Sequence, residues 1–198
     1  MPKSGELHYH LDGSAYPESM LSYASTQCID KATLAVANQD QCKFIRIIDV
    51  HKYPSVYAEI IRAWSMKDFI AGKESGHDHF FASFSKFYLL GYEHVSEMLL
   101  DVTKRALKQN ELYLEIMISP DNNQSVKFAG LINPSKTLAE NYQRLVTEKA
   151  FKTHIKDSIV KLLERHKTVN QQLKNELLVR YQYYVIREQT FAPMFAQA

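Results

Sequence analysis

Three short β-rich segments, set apart by long helical stretches, constrain this chain most. Glu6–His10, Leu112–Met117 and Tyr181–Ile186 read as strands. Parallel neighbours need a crossover, usually helical, so strand–helix–strand order predicts an α/β fold with a parallel sheet. A plain crossover takes about 10–12 residues. Roughly a hundred residues separate the first two strands, far beyond that minimum. An insertion of that length is expected to form a lid or a pocket wall.

The helical stretches are read from periodicity and punctuation. Pro17 suits the first turn of a helix over Glu18–Ser25. Residues 43–50 read as a short helix. Pro54 opens another through Trp64, with Val56, Tyr57, Ile60, Ile61 and Trp64 on one stripe. Asp78–Gln109 is helical, with a break expected near Gly91. Asn133-Pro134 reads as N-cap and first residue of a helix to about Ala150. A long helix follows, marked by Ile159, Leu162, Leu163, His166, Val169, Leu173, Leu177 and Leu178. Arg187 then falls just past the third strand, where parallel barrels place functional residues; a plain surface arginine is the competing reading.

The chain has 198 residues, 45% hydrophobic and 23% charged, values ordinary for a folded globular protein. Its net charge of +2 gives no warrant for a nucleic-acid or membrane-surface partner. No apolar run approaches the ~20 residues a bilayer span needs. Cys28 and Cys42 flank one polar loop. A disulfide there implies an oxidising, periplasmic or secreted setting, and two free thiols a cytoplasmic one. Neither sits in a C-x-x-C motif.

The residues with most chemistry lie at the end of the first strand. In Glu6-Leu7-His8-Tyr9-His10-Leu11-Asp12-Gly13-Ser14, strand alternation turns His8, His10 and Asp12 to one side. Two imidazoles on one strand make half of a zinc site. A bare His-x-His also arises by chance. Gly76-His77-Asp78-His79 repeats the spacing at a helix start, where i and i+2 do not share a face. There, capping or packing by His79 is the expectation, not a second metal site. Phe80, Phe81, Phe84 and Phe87 recur at helical spacing, which by itself favours core packing.

With Pro2-Lys3 before it, the first-strand string resembles the opening motif of the adenosine deaminase family. Asp78-His79-Phe80-Phe81-Ala82-Ser83-Phe84-Ser85-Lys86-Phe87 is similar to that family's Phe-rich helix near the substrate mouth. Tyr113-Leu114-Glu115-Ile116-Met117-Ile118-Ser119-Pro120 is similar to its second strand, with Met117 where many members carry Arg. The resemblance spans nearly the whole chain. It leaves open a secreted growth-factor-like branch or a bacterial periplasmic one.

The resemblance implies a TIM (β/α)8 barrel of the metallo-dependent hydrolase type. Residues 1–198 would be the N-terminal portion of that one domain: about three strands and the long helical insertion. It implies a zinc ion with His8 and His10 as metal ligands. Asp12 would lie beside an adenosine-type nucleoside, with Phe80, Phe81 and Phe84 lining the apolar side. The third histidine, the metal aspartate and the catalytic glutamate would lie downstream of Ala198, so no catalytic acid is assigned here. Glu6 would sit deeper than the metal, and Glu115 would orient its neighbours. A barrel typically takes about 250 residues, so the missing half is expected as a second polypeptide or an absent segment. The implied reaction is hydrolytic deamination of adenosine or 2'-deoxyadenosine to inosine and ammonia. The alternatives are another amidohydrolase acting on a different aminopurine, and a non-catalytic fragment binding a nucleoside or partner. The His-x-Glu and Pro-Cys-x-x-Cys signature of cytidine-type deaminases is absent.

Overall fold

A computed structural model describes residues 4–24, 26–38, 44–174 and 176–198. In chain order the elements are β1 (Ser4–His10), α1 (Pro17–Tyr23), β2 (Cys28–Ile29), β3 (Val36–Ala37), β4 (Ile45–Arg46), α2 (Pro54–Ala63), α3 (Gly76–Glu93), α4 (Val95–Lys108), β5 (Glu111–Ile118), α5 (Leu138–Thr147), α6 (Lys149–Gln172), β6 (Leu178–Tyr183) and α7 (Phe191–Gln197). Short 3-10 segments cover Ile47–Lys52 and Gln124–Leu131. The chain divides into two compact units, one of Met1–Tyr9 with Asn110–Ala198 and the other of His10–Gln109.

The first unit holds a three-stranded sheet in the order β1-β5-β6. β5 and β6 run parallel, with Leu114 opposite Val179 and Glu115 opposite Arg180. Alternation sorts β5 cleanly over its second half. Leu114, Ile116 and Ile118 are buried, while Tyr113, Glu115 and Met117 on the other face are half-buried. Leu145, Leu162, Val169, Leu173 and Val179 complete this core. Among the described residues the fold is mixed α/β, with a small parallel sheet and no closed barrel.

The second unit contains the long insertion. Its sheet, in the order β3-β2-β4, is antiparallel, with Cys28 paired to both Ala37 and Arg46. Strands of two residues are too short to show a period, which is why they escape a pattern reading. Cys28 is buried in β2; the expected pairing with Cys42 lies outside the described residues. Ile60, Ile61, Trp64, Leu90, Met98, Leu99 and Val102 form the core. Leu34 takes a left-handed backbone, φ 55. Its carbonyl accepts a 2.8 Å hydrogen bond from the Trp64 indole.

Several boundaries differ from expectation, each for a local reason. The third strand is Leu178–Tyr183, not Tyr181–Ile186. Lys174, left-handed at φ 52, stops the preceding helix before Leu177 and Leu178, and pairing with Tyr113–Ile118 fixes the strand. The stretch read as a helix from 43 to 50 gives β4 and a 3-10 turn over its described residues. Gly91 stays inside α3, and the break comes at His94. Asn133 does not open α5. Thr137 caps it with a full capping box, its side chain accepting from the Glu140 amide and the Glu140 carboxylate accepting from the Thr137 amide. Glu148 then separates α5 from α6, accepting from the Ala150 amide.

Candidate metal centre

His8 and His10 are both exposed on β1, and alternation gives them a common side of the strand. Just beyond the strand, Leu11 is buried and anchors the chain. A turn follows in which the Ser14 amide bonds to the Leu11 carbonyl at 3.1 Å and the Ser14 hydroxyl donates to the His10 carbonyl. Arg105 on α4 holds the same turn. Its guanidinium donates to the Ser14 carbonyl and lies 4.1 Å from the centre of the Tyr16 ring. The backbone carrying His10 and Asp12 is thus fixed by main-chain and side-chain bonds.

Asp12 is half-buried. α3 passes close to it. A Cβ added at Gly91 would lie 3.9 Å from the Asp12 carboxylate, and one added at Gly13 would meet the Phe84 ring at 3.1 Å. The structure therefore brings Phe84 against the Asp12–Gly13 turn. A side chain at Gly13 would press on that ring and require it to give by a few tenths of an ångström.

Phe80 is 44% exposed and Phe81 60% exposed, so these two rings are not core residues. Phe80 meets Phe84 edge-on at 5.2 Å, and Phe84 meets the buried Phe87 at 5.6 Å. The stripe thus runs from core to solvent along one helix, with Phe84 in between.

The second His-x-His pair behaves as a structural device. His79 Nδ1 pairs with Glu74 at 2.9 Å, and Nε2 faces the Ser65 carbonyl at 2.8 Å and the Arg62 carbonyl at 3.1 Å. It ties the start of α3 to the end of α2. The Ser65 carbonyl, with help from Glu74 and Arg62, raises the His79 pKa despite some burial. His77 is solvent-exposed against Phe81.

On β5, Glu115 accepts from Tyr113 Oη at 2.6 Å and from Gln182 Nε2 of β6. This orients its neighbours. Glu111 is buried, and that burial, aided by repulsion from Glu6, raises its pKa. Met117 is half-buried on β5, and Arg187 is exposed beyond Tyr183, the last residue of β6.

A polar node at the end of β5 is not apparent from sequence pattern. Asp121 is buried and accepts from Ser119 Oγ, the amides of Asn123 and Ser125, and His154 Nε2 at 3.0 Å. Lys127 Nζ lies 3.2 Å from His154 Nδ1. An ammonium can only donate, so Nδ1 accepts and Nε2 carries the proton given to Asp121. The available signal was position, since an acid just past a parallel strand sits where such folds place functional groups.

A catalytic zinc takes three protein donors and keeps one position open. His8 and His10 offer two. Among the described residues no group of three or more His, Cys, Asp or Glu side chains is gathered to hold a metal. These residues match part of such a site, and further donors would be needed to complete it. No helix among the described residues is long and apolar enough to cross a membrane. No known protein family, curated protein or solved structure matches the chain.

Proposed function

We propose that this chain is the N-terminal part of an adenosine-deaminase-like barrel and contributes part of a zinc-dependent site. The reaction would convert adenosine or 2'-deoxyadenosine to inosine and ammonia. One observation carries the reading: two histidines alternate at the end of β1, the strand ends in a fixed Asp12–Gly13 turn, and an aromatic helix packs on that turn. Zinc, when bound, would supply a hydroxide nucleophile at neutral pH. His8 and His10 would be two of its ligands, with a third histidine and an aspartate coming from the missing half of the barrel, as a second polypeptide or an absent segment. Asp12 would accept a hydrogen bond from the nucleoside, and Phe84 with Phe80 would cover its apolar side. Glu115, already engaged by Tyr113 and Gln182, would hold the sheet face in place rather than move a proton. Support for a barrel origin comes from the parallel β5–β6 pair and from the polar groups on its less buried face. Parallel strands are normally covered on both faces.

The test is adenosine-to-inosine conversion by the purified protein, supplied with its complementary polypeptide where one exists. It is run as purified, after chelation and after zinc is restored. Turnover that is lost on chelation, restored by zinc and abolished in His8→Ala and His10→Ala supports the reading. Well-folded, zinc-supplied protein that turns over no adenosine with its complementary polypeptide present, or histidine variants that keep full activity, would overturn it.

A further inference from the structure

A cavity of about 580 Å³ lies beyond the carboxyl ends of β5 and β6, bordered by Pro120, Asp121 and Tyr183. Its walls come from α5, α6 and α7, among them Leu145, Phe151, Ile155, Ile159 and Phe195. The volume falls inside the range of about 300–1,000 Å³ usual for ligand pockets, and the carboxyl end of a parallel sheet is where such folds bind ligands.

Of the polar side chains in the wall, Asp121, Ser158, Tyr183 and Gln197 are already engaged, and Tyr142 is 56% exposed. Asp121 is enclosed by the donors described above. Ser158 Oγ donates to the His154 carbonyl at 2.8 Å, and Tyr183 Oη to the Gln197 carbonyl at 2.6 Å. The body of a ligand must therefore be apolar. Val146, Phe151, Ile155 and Ile159 also line a second groove of about 450 Å³, whose lining adds Lys152 and Lys156 and no carboxylate. An anionic head fits at the lysines. The reverse orientation would press it against the Asp121 carboxylate.

We propose that this cavity binds an anionic amphiphile of the fatty-acid class, with its hydrocarbon chain inside and its carboxylate between Lys152 and Lys156. The proposal is independent of the deamination reading. The test is fluorescence titration of the purified protein with cis-parinaric acid, and in parallel with cis-parinaryl alcohol. Saturable one-site binding is expected below the micellar concentration of the acid. Lys152→Glu with Lys156→Glu should weaken the acid about tenfold, the scale of two exposed ion pairs lost and reversed, while leaving the alcohol unchanged. Ile159→Glu, on the exposed side of α6, should weaken both. The proposal is overturned by absence of saturable uptake, by uptake only above the micellar concentration, or by equal loss of acid and alcohol in the lysine variant.

Discussion

Asp121 shows how one carboxylate can set local geometry. Burial raises its pKa, but the hydrogen bonds from His154, Ser119 and Ser125 outweigh burial and leave it below the usual carboxylate range. A lowered folded-state pKa stabilises fully above the unfolded value of about 3.9. That contribution is lost as pH falls through the folded value. Asp121→Asn should therefore cost about 1–3 kcal/mol at pH 6, as buried donors lose a charged acceptor. The gap to the native protein should close in acid. Urea unfolding at pH 6, 4 and 3 would check this, and a gap that stays constant would remove Asp121 from the account. Residue chemistry was only partly legible in advance. His8 and His10 stood out because their spacing matches the strand period. Asp121 and His154 are separated by 33 positions, and no local period links residues that far apart.

The helices show which signals are reliable. α2 came out nearly as expected, because Pro54 and a clear apolar stripe both mark it. α5 did not, because Asn133-Pro134 resembles a helix start and Thr137-x-x-Glu140 is one. The two differ in reciprocity. Thr137 and Glu140 each satisfy the other's amide, whereas the Asn133 amide is taken by the Asn141 side chain at 2.8 Å. Thr137→Ala should destabilise the protein by about 1 kcal/mol, the usual cost of losing an N-cap. Thermal unfolding followed by far-ultraviolet circular dichroism would read this, and an unchanged midpoint would mean the cap is redundant. The β2–β4 sheet was missed because its pairing is tertiary, and two-residue strands hold no pattern of their own.

For the whole molecule, the parallel arrangement was legible and its extent was not. Strand–helix–strand order predicts β5 beside β6, and they are paired. It does not reveal where a sheet stops. Among the described residues the outer strands of the order β1-β5-β6 are edges, and Leu7 on β1 is 65% exposed while Leu178 on β6 is 47% exposed. Open edges with apolar side chains recruit other strands. The protein by itself should therefore self-associate as its concentration rises, and Leu7→Lys should reduce this. Sedimentation velocity over a wide concentration range would show it. A single unchanging monomer would mean that the edges are protected.

The left-handed turn at Leu34 has an optical consequence. Trp64, the only tryptophan in the sequence, is buried, hydrogen-bonded to the Leu34 carbonyl and tilted 6.1 Å from Phe87. All three residues belong to the second unit. Intrinsic fluorescence excited at the red edge therefore reports on that unit alone, without any label. When this core opens, the indole loses its fixed partner and meets water, and its emission moves to longer wavelength. Tyrosine and circular dichroism signals sample the chain more broadly. A comparison of the two would time the melting of the insertion against that of the rest.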